Sequence, residues 1–316
     1  MKILGCGALN VDYLFAAESL VTDGETFCHA AERQPGGSAA NTIYALAQFG
    51  LPCRFAGVVG DDPDGQLARD SLATVGVDTR SITVKSGATT GRVFCFVDKT
   101  GHRALYVCPG VNRELTAADL QQGLDVTVTW VHASSFVGEA AFAAHRDFVT
   151  TLPPATRFSF APGAIYSARG FEALAPFLAR CTVLFLTAAE LQRLTGQAQT
   201  LAGAQQLLSA GVETVVVTCG GEGSLQVAAG WHHAEPAIGV TVRDTTGAGD
   251  AFAAGFLFGC LKGYGRVEAQ RFATVVASFA VEKWGARTGL PSLRAAKERY
   301  LKIYRTPLPP DDPHCP

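Results

Sequence analysis

The sequence predicts a doubly wound α/β fold: a mostly parallel, Rossmann-like sheet with helices on both faces and a small antiparallel β-lid. Three observations lead there. From Asn112 onward, short strand-like runs (residues 126–131, 158–160, 183–186 and 214–218) alternate with helix-like runs, with Gly196 and Gly211 at helix ends, the pattern of successive βα units. The string Asp244-Thr245-Thr246-Gly247-Ala248-Gly249-Asp250-Ala251-Phe252 opens onto residues 251–261, which are apolar on every side, as in a helix buried inside a large body. Residues 92–98 instead alternate Val93, Cys95 and Val97 with Phe94, Phe96 and Asp98, and a second run, 103–108, follows a Gly-containing loop. That is a hairpin. With residues from 11 onward it makes a lid spanning about 11–34 and 82–110, whose open face must be covered by substrate, by the body or by a second subunit.

Bulk properties narrow the classes. The 316 residues are 48% hydrophobic and only 17% charged, against about 25% charged in an average globular protein; a compact body with a large buried sheet follows. The net charge is −2 with no Lys/Arg cluster, which gives no support to a nucleic-acid or acidic-membrane partner. Nine cysteines, with no C-x-x-C pair, include Cys6, Cys95, Cys108, Cys181 and Cys219 in strand-like segments. They read as small core residues in a reducing compartment. The first apolar run is broken by Asn10 and Asp12, and nowhere do 18 apolar residues run together, so the expected location is the cytoplasm.

In chain order, residues 1–8 read as the first strand, ending in Gly5-Cys6-Gly7. A dinucleotide fingerprint would continue with a third glycine, but Asn10 stands there, so a nicotinamide dehydrogenase starts poorly. Gly36-Gly37-Ser38-Ala39-Ala40-Asn41 opens a helix with Ser38 as its candidate N-cap, stopped by Gly50 and Pro52. Residues 53–59 are a strand, and Pro63 begins a helix ending at Gly76. Residues 1–305 form one domain, and 306–316, with five prolines, an extended tail.

The 244–252 string carries chemistry. Glycines before a helix start leave free N–H groups at the positive end of the dipole, a ready phosphate site. A carboxylate beside a phosphate is out of place unless it takes a proton. Gly247, Ala248 and Gly249 are therefore read as an anion hole and Asp250 as a general base; the plain alternative is an Asp capping a core helix. No Gly-Lys pair exists, which excludes a P-loop kinase, and H-E-x-x-H and G-x-S-x-G are absent too.

Together these pieces resemble the ribokinase-like (PfkB) carbohydrate kinases over about residues 3–295. Gly36-Gly37-x-x-x-Asn41 and Gly57-x-x-Gly60-x-Asp62-x-x-Gly65 match the N-terminal signature, and 244–252 the C-terminal one. Thr218-Cys219-Gly220-Gly221-Glu222-Gly223 is similar to the family's nucleotide loop. The resemblance implies phosphoryl transfer from ATP, with Mg²⁺, to a primary hydroxyl of a sugar or nucleoside. It implies acceptor contacts from Asp12, Gly36, Gly37 and Asn41, and ATP contacts from Thr187, Thr218, Gly220 and Gly223. Glu190 matches the Glu of the N-x-x-E element that supports Mg²⁺, through water; Asp244 and Thr246 match positions lining a monovalent-cation (K⁺) site in some relatives. By residue type alone, Asp12 is equally a turn residue, Asn41 a helix-interior contact and Glu190 a solvated helix-start carboxylate.

The chain departs from the pattern at two places. Thr187 stands where the family has Asn, and Ala161 where an acidic residue often precedes Pro-Gly. A catalytically weakened nucleotide- or sugar-binding protein is therefore the competing expectation. Ser38 replaces the Lys of ribokinases proper, and G-G-S-A-A-N leans toward adenosine-kinase-like members. Phe94 and Phe96 read as a stacking surface for a base or sugar, or as core or interface; a homodimer through the lid is one way to cover them.

Overall fold

The structure, a computed structural model, describes residues 2–100 and 102–310, and only the backbone of Ala30, Ala31 and Arg103. Its strands are β1 (Lys2–Cys6), β2 (Asn10–Ala17), β3 (Cys28–Gly36), β4 (Cys53–Gly60), β5 (Ile82–Lys85), β6 (Gly91–Val97), β7 (Arg103–Cys108), β8 (Val128–Ser134), β9 (Arg157–Ala161), β10 (Val183–Thr187), β11 (Thr214–Thr218), β12 (Ser224–Ala228) and β13 (Trp231–Glu235). The helices are α1 (Ser38–Gln48), α2 (Pro63–Thr74), α3 (Ala117–Gln121), α4 (Glu139–Thr150), α5 (Gly163–Ser167), α6 (Phe171–Leu178), α7 (Ala188–Thr195), α8 (Thr200–Ser209), α9 (Ala248–Leu261), α10 (Arg266–Ala280) and α11 (Leu293–Tyr304).

Nine strands form the main sheet in the order β13-β12-β11-β10-β9-β8-β1-β4-β5. Every neighbouring pair from β11 to β5 is parallel, and β12 and β13 close one edge antiparallel. The chain winds outward from β1 through β4 and β5, then returns to β8 and winds the other way. The order thus reverses between β1 and β8, and ligands of such sheets bind beyond the strand ends at that reversal. Residues of α1, α9, α10 and α11 pack one face, and those of α4, α6, α7 and α8 the other. The run Ala251–Gly259 in α9 is entirely buried, which explains its lack of a polar side.

The second sheet has the order β3-β2-β6-β7. Its β2–β3 and β6–β7 pairs are antiparallel, but β2 and β6 run parallel, so the lid is mixed rather than wholly antiparallel. Register places Tyr13 beside Phe94 and Phe15 beside Phe96, and the rings stack at 5.3 and 4.9 Å. Phe94 and Phe96 thus pack within the lid itself. The lid is latched to the body at α2: Asp64, with 1% of its side chain exposed, accepts hydrogen bonds from Tyr13 (2.9 Å), Arg33 (3.2 Å) and Arg92 (2.6 Å).

Several expectations need correction. Residues 82–85 pair with β4 at the edge of the main sheet, not with the lid, because an alternating four-residue strand reads alike in either setting. Gly37, with φ 103°, is the N-cap of α1 and Ser38 its first helical residue. The strand expected from 126 begins at Val128, and α9 begins at Ala248. Cys6, Cys95 and Cys181 are buried as expected, but Cys108 is exposed and Cys219 half-buried. Of the tail, 311–316 lies outside the described residues. Among the described residues no helix is long and apolar enough to cross a membrane.

Candidate active site

Two cavities lie near the start of α9, one lined by its first turn and the other by Ser38, which bonds to Asp250. The larger, about 710 Å³, lies beyond the ends of β10 and β11 and is lined by Thr187, Thr218, Gly220, Gly223, Gly249 and Phe252, among others. The smaller, about 170 Å³, sits at the β1/β8 reversal; Ala8, Asn10, Ser38, Val107, Ser134 and Ile165 are among its walls. Lid and body both contribute to it. Four residues expected to contact ATP therefore line one space, with Ala248 and Gly249 beside them.

Gly247 is the N-cap of α9, with φ 74°, a left-handed conformation that glycine takes without steric cost. A Cβ there would lie 2.7 Å from Ala286. The Ala248 N–H donates to the Thr245 carbonyl (3.2 Å), whereas those of Gly247, Gly249 and Asp250 have no acceptor among the described residues. Of the three amides expected to form an anion hole, those of Gly247 and Gly249 are thus unengaged, that of Ala248 is committed to the turn, and Asp250's own amide is unengaged as well. A Cβ on Gly249 would meet nothing within 4 Å, so its surface faces open cavity.

Asp250 has both carboxylate oxygens engaged. Ser38 Oγ donates to Oδ1 (2.6 Å) and Asn41 Nδ2 to Oδ2 (2.8 Å). Burial pushes this carboxyl up to about 6; the Ser38 and Asn41 hydrogen bonds and the Arg287 charge oppose that, and the Glu190 charge adds to it. Asp12, on lid strand β2, is likewise pushed up to about 6 by burial, with Arg287 opposing and Asp250 reinforcing the rise. Its carboxylate lies directly against Gly36, where any Cβ would overlap it, and a Cβ on Gly37 would overlap the Ala8 carbonyl. The glycine pair is thus what lets lid strand and helix start close together. Asp12, Gly36, Gly37, Asn41 and Asp250 form one cluster.

The other expected site residues are held by local structure. Thr187 and Glu190 form a capping box on α7: Glu190 N donates to Thr187 Oγ1 (3.2 Å) and Thr187 N to Glu190 Oε2 (2.9 Å). Thr187 therefore performs the N-cap work an Asn would do. Asp244 accepts from Thr246 N and Oγ1 and from Gly285 N (2.9, 2.7 and 2.8 Å), tying the 244–246 turn to the 285–289 loop. Ala161 packs against the hydrophobic core.

Sequence reasoning missed three polar groups here. Asn112 donates to Asn10 Oδ1 (3.0 Å) and to the Leu9 carbonyl (2.9 Å), fixing the lid's first strand; Ser134 Oγ accepts from Ala39 N (3.1 Å) at the floor of the small cavity. Arg287 donates from Nε to Asn41 Oδ1 (2.8 Å) and from Nη1 to Ser71 Oγ (2.7 Å). Its only local signal was a charge set between Ala286 and Thr288 in a loop of small residues.

Comparison with known proteins agrees with this geometry. The model of the pfkB family of carbohydrate kinases matches residues 2–293. An uncharacterized sugar kinase of Archaeoglobus fulgidus is 30% identical over 246 residues, 78% of this chain and 98% of that protein. An ATP-dependent ribose-1-phosphate kinase of Halopiger xanaduensis is 29% identical over 91% of this chain and 94% of its own length. The crystal structure of Thermotoga maritima ribokinase superposes with a TM-score of 0.81 at 25% identity, covering 95% of this chain and 99% of that one. A family match over nearly the whole length, on a sheet that reverses at the small cavity, leads to one conclusion: the chain belongs to the pfkB family of carbohydrate kinases and is a phosphotransferase with an alcohol acceptor.

Proposed function

We propose that this kinase transfers the terminal phosphoryl group of ATP to a primary hydroxyl of a sugar or nucleoside, with Asp250 as general base. One observation carries the reading: Asp250 lies between a residue of one cavity and a residue of the other. Its hydrogen-bond partner Ser38 lines the small one and its chain neighbour Gly249 the large one. A nucleotide in the larger space and an alcohol in the smaller would present their reacting atoms to the same carboxylate.

The residues then divide the work. Asp12 and Asn41, beside Gly36 and Gly37, orient the acceptor's hydroxyls. Asp250 accepts the proton of the attacking hydroxyl, and a carboxyl pushed up to about 6 is a stronger base than an ordinary one while still ionised at neutral pH. The free N–H groups of Gly247, Gly249 and Asp250 meet negative charge growing on the transferred group without reorganising. Thr187, Thr218, Gly220 and Gly223 shape the nucleotide's bed. The lid keeps water from competing as acceptor.

Mg²⁺ fits this set in a limited way. Among the described residues no group of three His, Cys, Asp or Glu could hold a metal, but Mg²⁺ usually keeps several waters and relies on one or two carboxylates plus the nucleotide's phosphates. Glu190, close enough to Asp250 to affect its charge, is the carboxylate that would hold it. Bound there, the ion would neutralise phosphate charge. A K⁺ requirement would act through the Asp244–Thr246 turn beneath the anion hole.

Apolar Val107, Pro109, Val137 and Ile165 in the small cavity favour a nucleoside over a bare sugar. Tyr106 (58% exposed) on β7, on the same lid face as Phe94 and Phe96, gives that face an apolar surface that a second copy would cover, which sedimentation tests. The competing reading, a binding protein with weakened turnover, rests on Thr187 and Ala161. A coupled ADP-release screen over pentoses, hexoses, sugar phosphates and nucleosides, with and without Mg²⁺ and K⁺, decides between them. Acceptor-dependent ADP formation that falls by roughly 10²–10⁴ in Asp250→Asn is expected. Full rate in that variant would reject Asp250 as the base, and no turnover with any acceptor would favour the binding protein.

A further inference from the structure

Arg287 is costly where it stands. It lies in the 285–289 loop with its guanidinium over the Tyr44 ring (4.9 Å to the centroid) and bonded to Asn41 and Ser71. Its Nη2 is buried with no partner among the described residues. Burial pulls its pKa down to about 10 against the favourable charges of Tyr44, Asp12 and Asp250, so it remains protonated at neutral pH. A buried cation with an unsatisfied N–H is poor material for stability alone, and an apolar side chain of similar volume is often neutral or better at such a place.

Its bonding pattern supplies another reason. The guanidinium can only donate, whereas a side-chain amide has one accepting and one donating end. With Arg287 Nε facing Asn41, the accepting end of Asn41 must turn toward it, which leaves Nδ2 to donate to Asp250. Resting on Asp250 as the base, we propose that Arg287 is a positioning residue for phosphoryl transfer: it locks the Asn41 amide in the orientation that donates to Asp250, and its charge keeps that carboxylate ionised. The charged and polar groups facing Asp250 among the described residues are Ser38, Asn41 and Thr42 from α1 (Thr42 on its carbonyl), Glu190 from α7, Arg287 from the 285–289 loop, and Asp12 from β2, on which the Asp250 charge acts. Arg287 is the one cation among them.

Wild type, Arg287→Gln and Arg287→Lys are compared in two measurements. The first is kcat/KM against pH from about 5 to about 9, with an acceptor found in the screen. The second is the titration of the Asp250 carboxyl by ¹³C NMR in the protein without substrates, assigned by loss of its signal in Asp250→Asn. Arg287→Gln should shift both the acid limb and the NMR titration to higher pH, with a rate at pH 7 lower by roughly two- to tenfold and recovering toward about pH 9. Arg287→Lys, which keeps the charge, should return much of the shift. A purely structural role would lower the melting temperature and leave both titrations in place, and that result overturns the proposal. Should Asp250→Asn keep full activity, the base assignment fails by itself; an Asp250 carboxyl that titrates alike in wild type and Arg287→Gln would then reject the Arg287 effect separately.

Discussion

Ser38 Oγ lies 2.6 Å from Asp250 Oδ1, although 212 positions separate the two residues. The contact joins the first residue of α1 to the first turn of α9 and gives the carboxylate a hydroxyl donor on the acceptor side. Ser38→Ala removes a bond that favours the ionised form, so burial acts with less opposition. The acid limb of kcat/KM should move to higher pH, with a loss at pH 7 of about two- to tenfold that shrinks toward about pH 9. A pH profile superposable on wild type would show that the hydroxyl does not set the charge of Asp250.

Asp12 and Asp250 make the site a liability to the fold at neutral pH. Both carboxyls are pushed from 3.8 to about 6, so the native state holds these protons more tightly than the unfolded chain does. The stability this contributes is fully present below about pH 4 and is lost as pH rises through about 6. Above that, each ionised, crowded carboxylate opposes folding. Asp12→Asn should therefore raise the melting temperature by about 1–4 °C near pH 7.5, with the gain fading toward about pH 4. Thermal melts at the two pH values check this; a gain larger in acid would reverse the sign and refute the linkage.

Gly249 offers a test that separates folding from the proposed nucleotide binding. Its missing side chain would face open cavity, and Ala suits a helical position at least as well as Gly. Gly249→Ala should leave stability within about 0.5 kcal/mol of wild type. The added methyl intrudes on the nucleotide's space, so KM for ATP should rise by about tenfold or more. Equal KM values would show that the phosphates do not pass this residue.

Asp64 tests the lid. Its carboxylate accepts from three lid side chains, two of them arginines with 34% and 44% of their side chains exposed, so partial solvation moderates the cost of its loss. Asp64→Asn should destabilise the protein by about 1–3 kcal/mol. KM for the acceptor should rise more than kcat falls, because Asp12 adjoins Tyr13 on the strand that Asp64 holds. Denaturant unfolding and acceptor kinetics measure the two effects, and an unchanged acceptor KM would mean the lid stays docked by other contacts.

What could be read from the sequence was contiguous. Residues 244–252 and 36–41 carry their geometry locally, in glycines and a helix start, and both cluster around Asp250 in space. The pairing partners of short strands were not legible: Ile82–Lys85 alternates like a lid strand, and only its register with β4 places it in the main sheet. The β12–β13 hairpin was passed over because its turn is short and its second strand, Trp231–Glu235, is largely polar. Arg287 escaped for a different reason. Its role depends on reaching Asn41, 246 positions away, and no local pattern announces such a contact.

The two carboxylates belong to different parts: Asp12 rides on the small sheet, Asp250 is fixed at the head of a helix sunk in the main body. The Asp250 charge raises the pKa of Asp12, so the small sheet sits with a carboxylate facing a like charge on the body. The three hydrogen bonds that the small sheet donates to Asp64 hold it on the body against that repulsion.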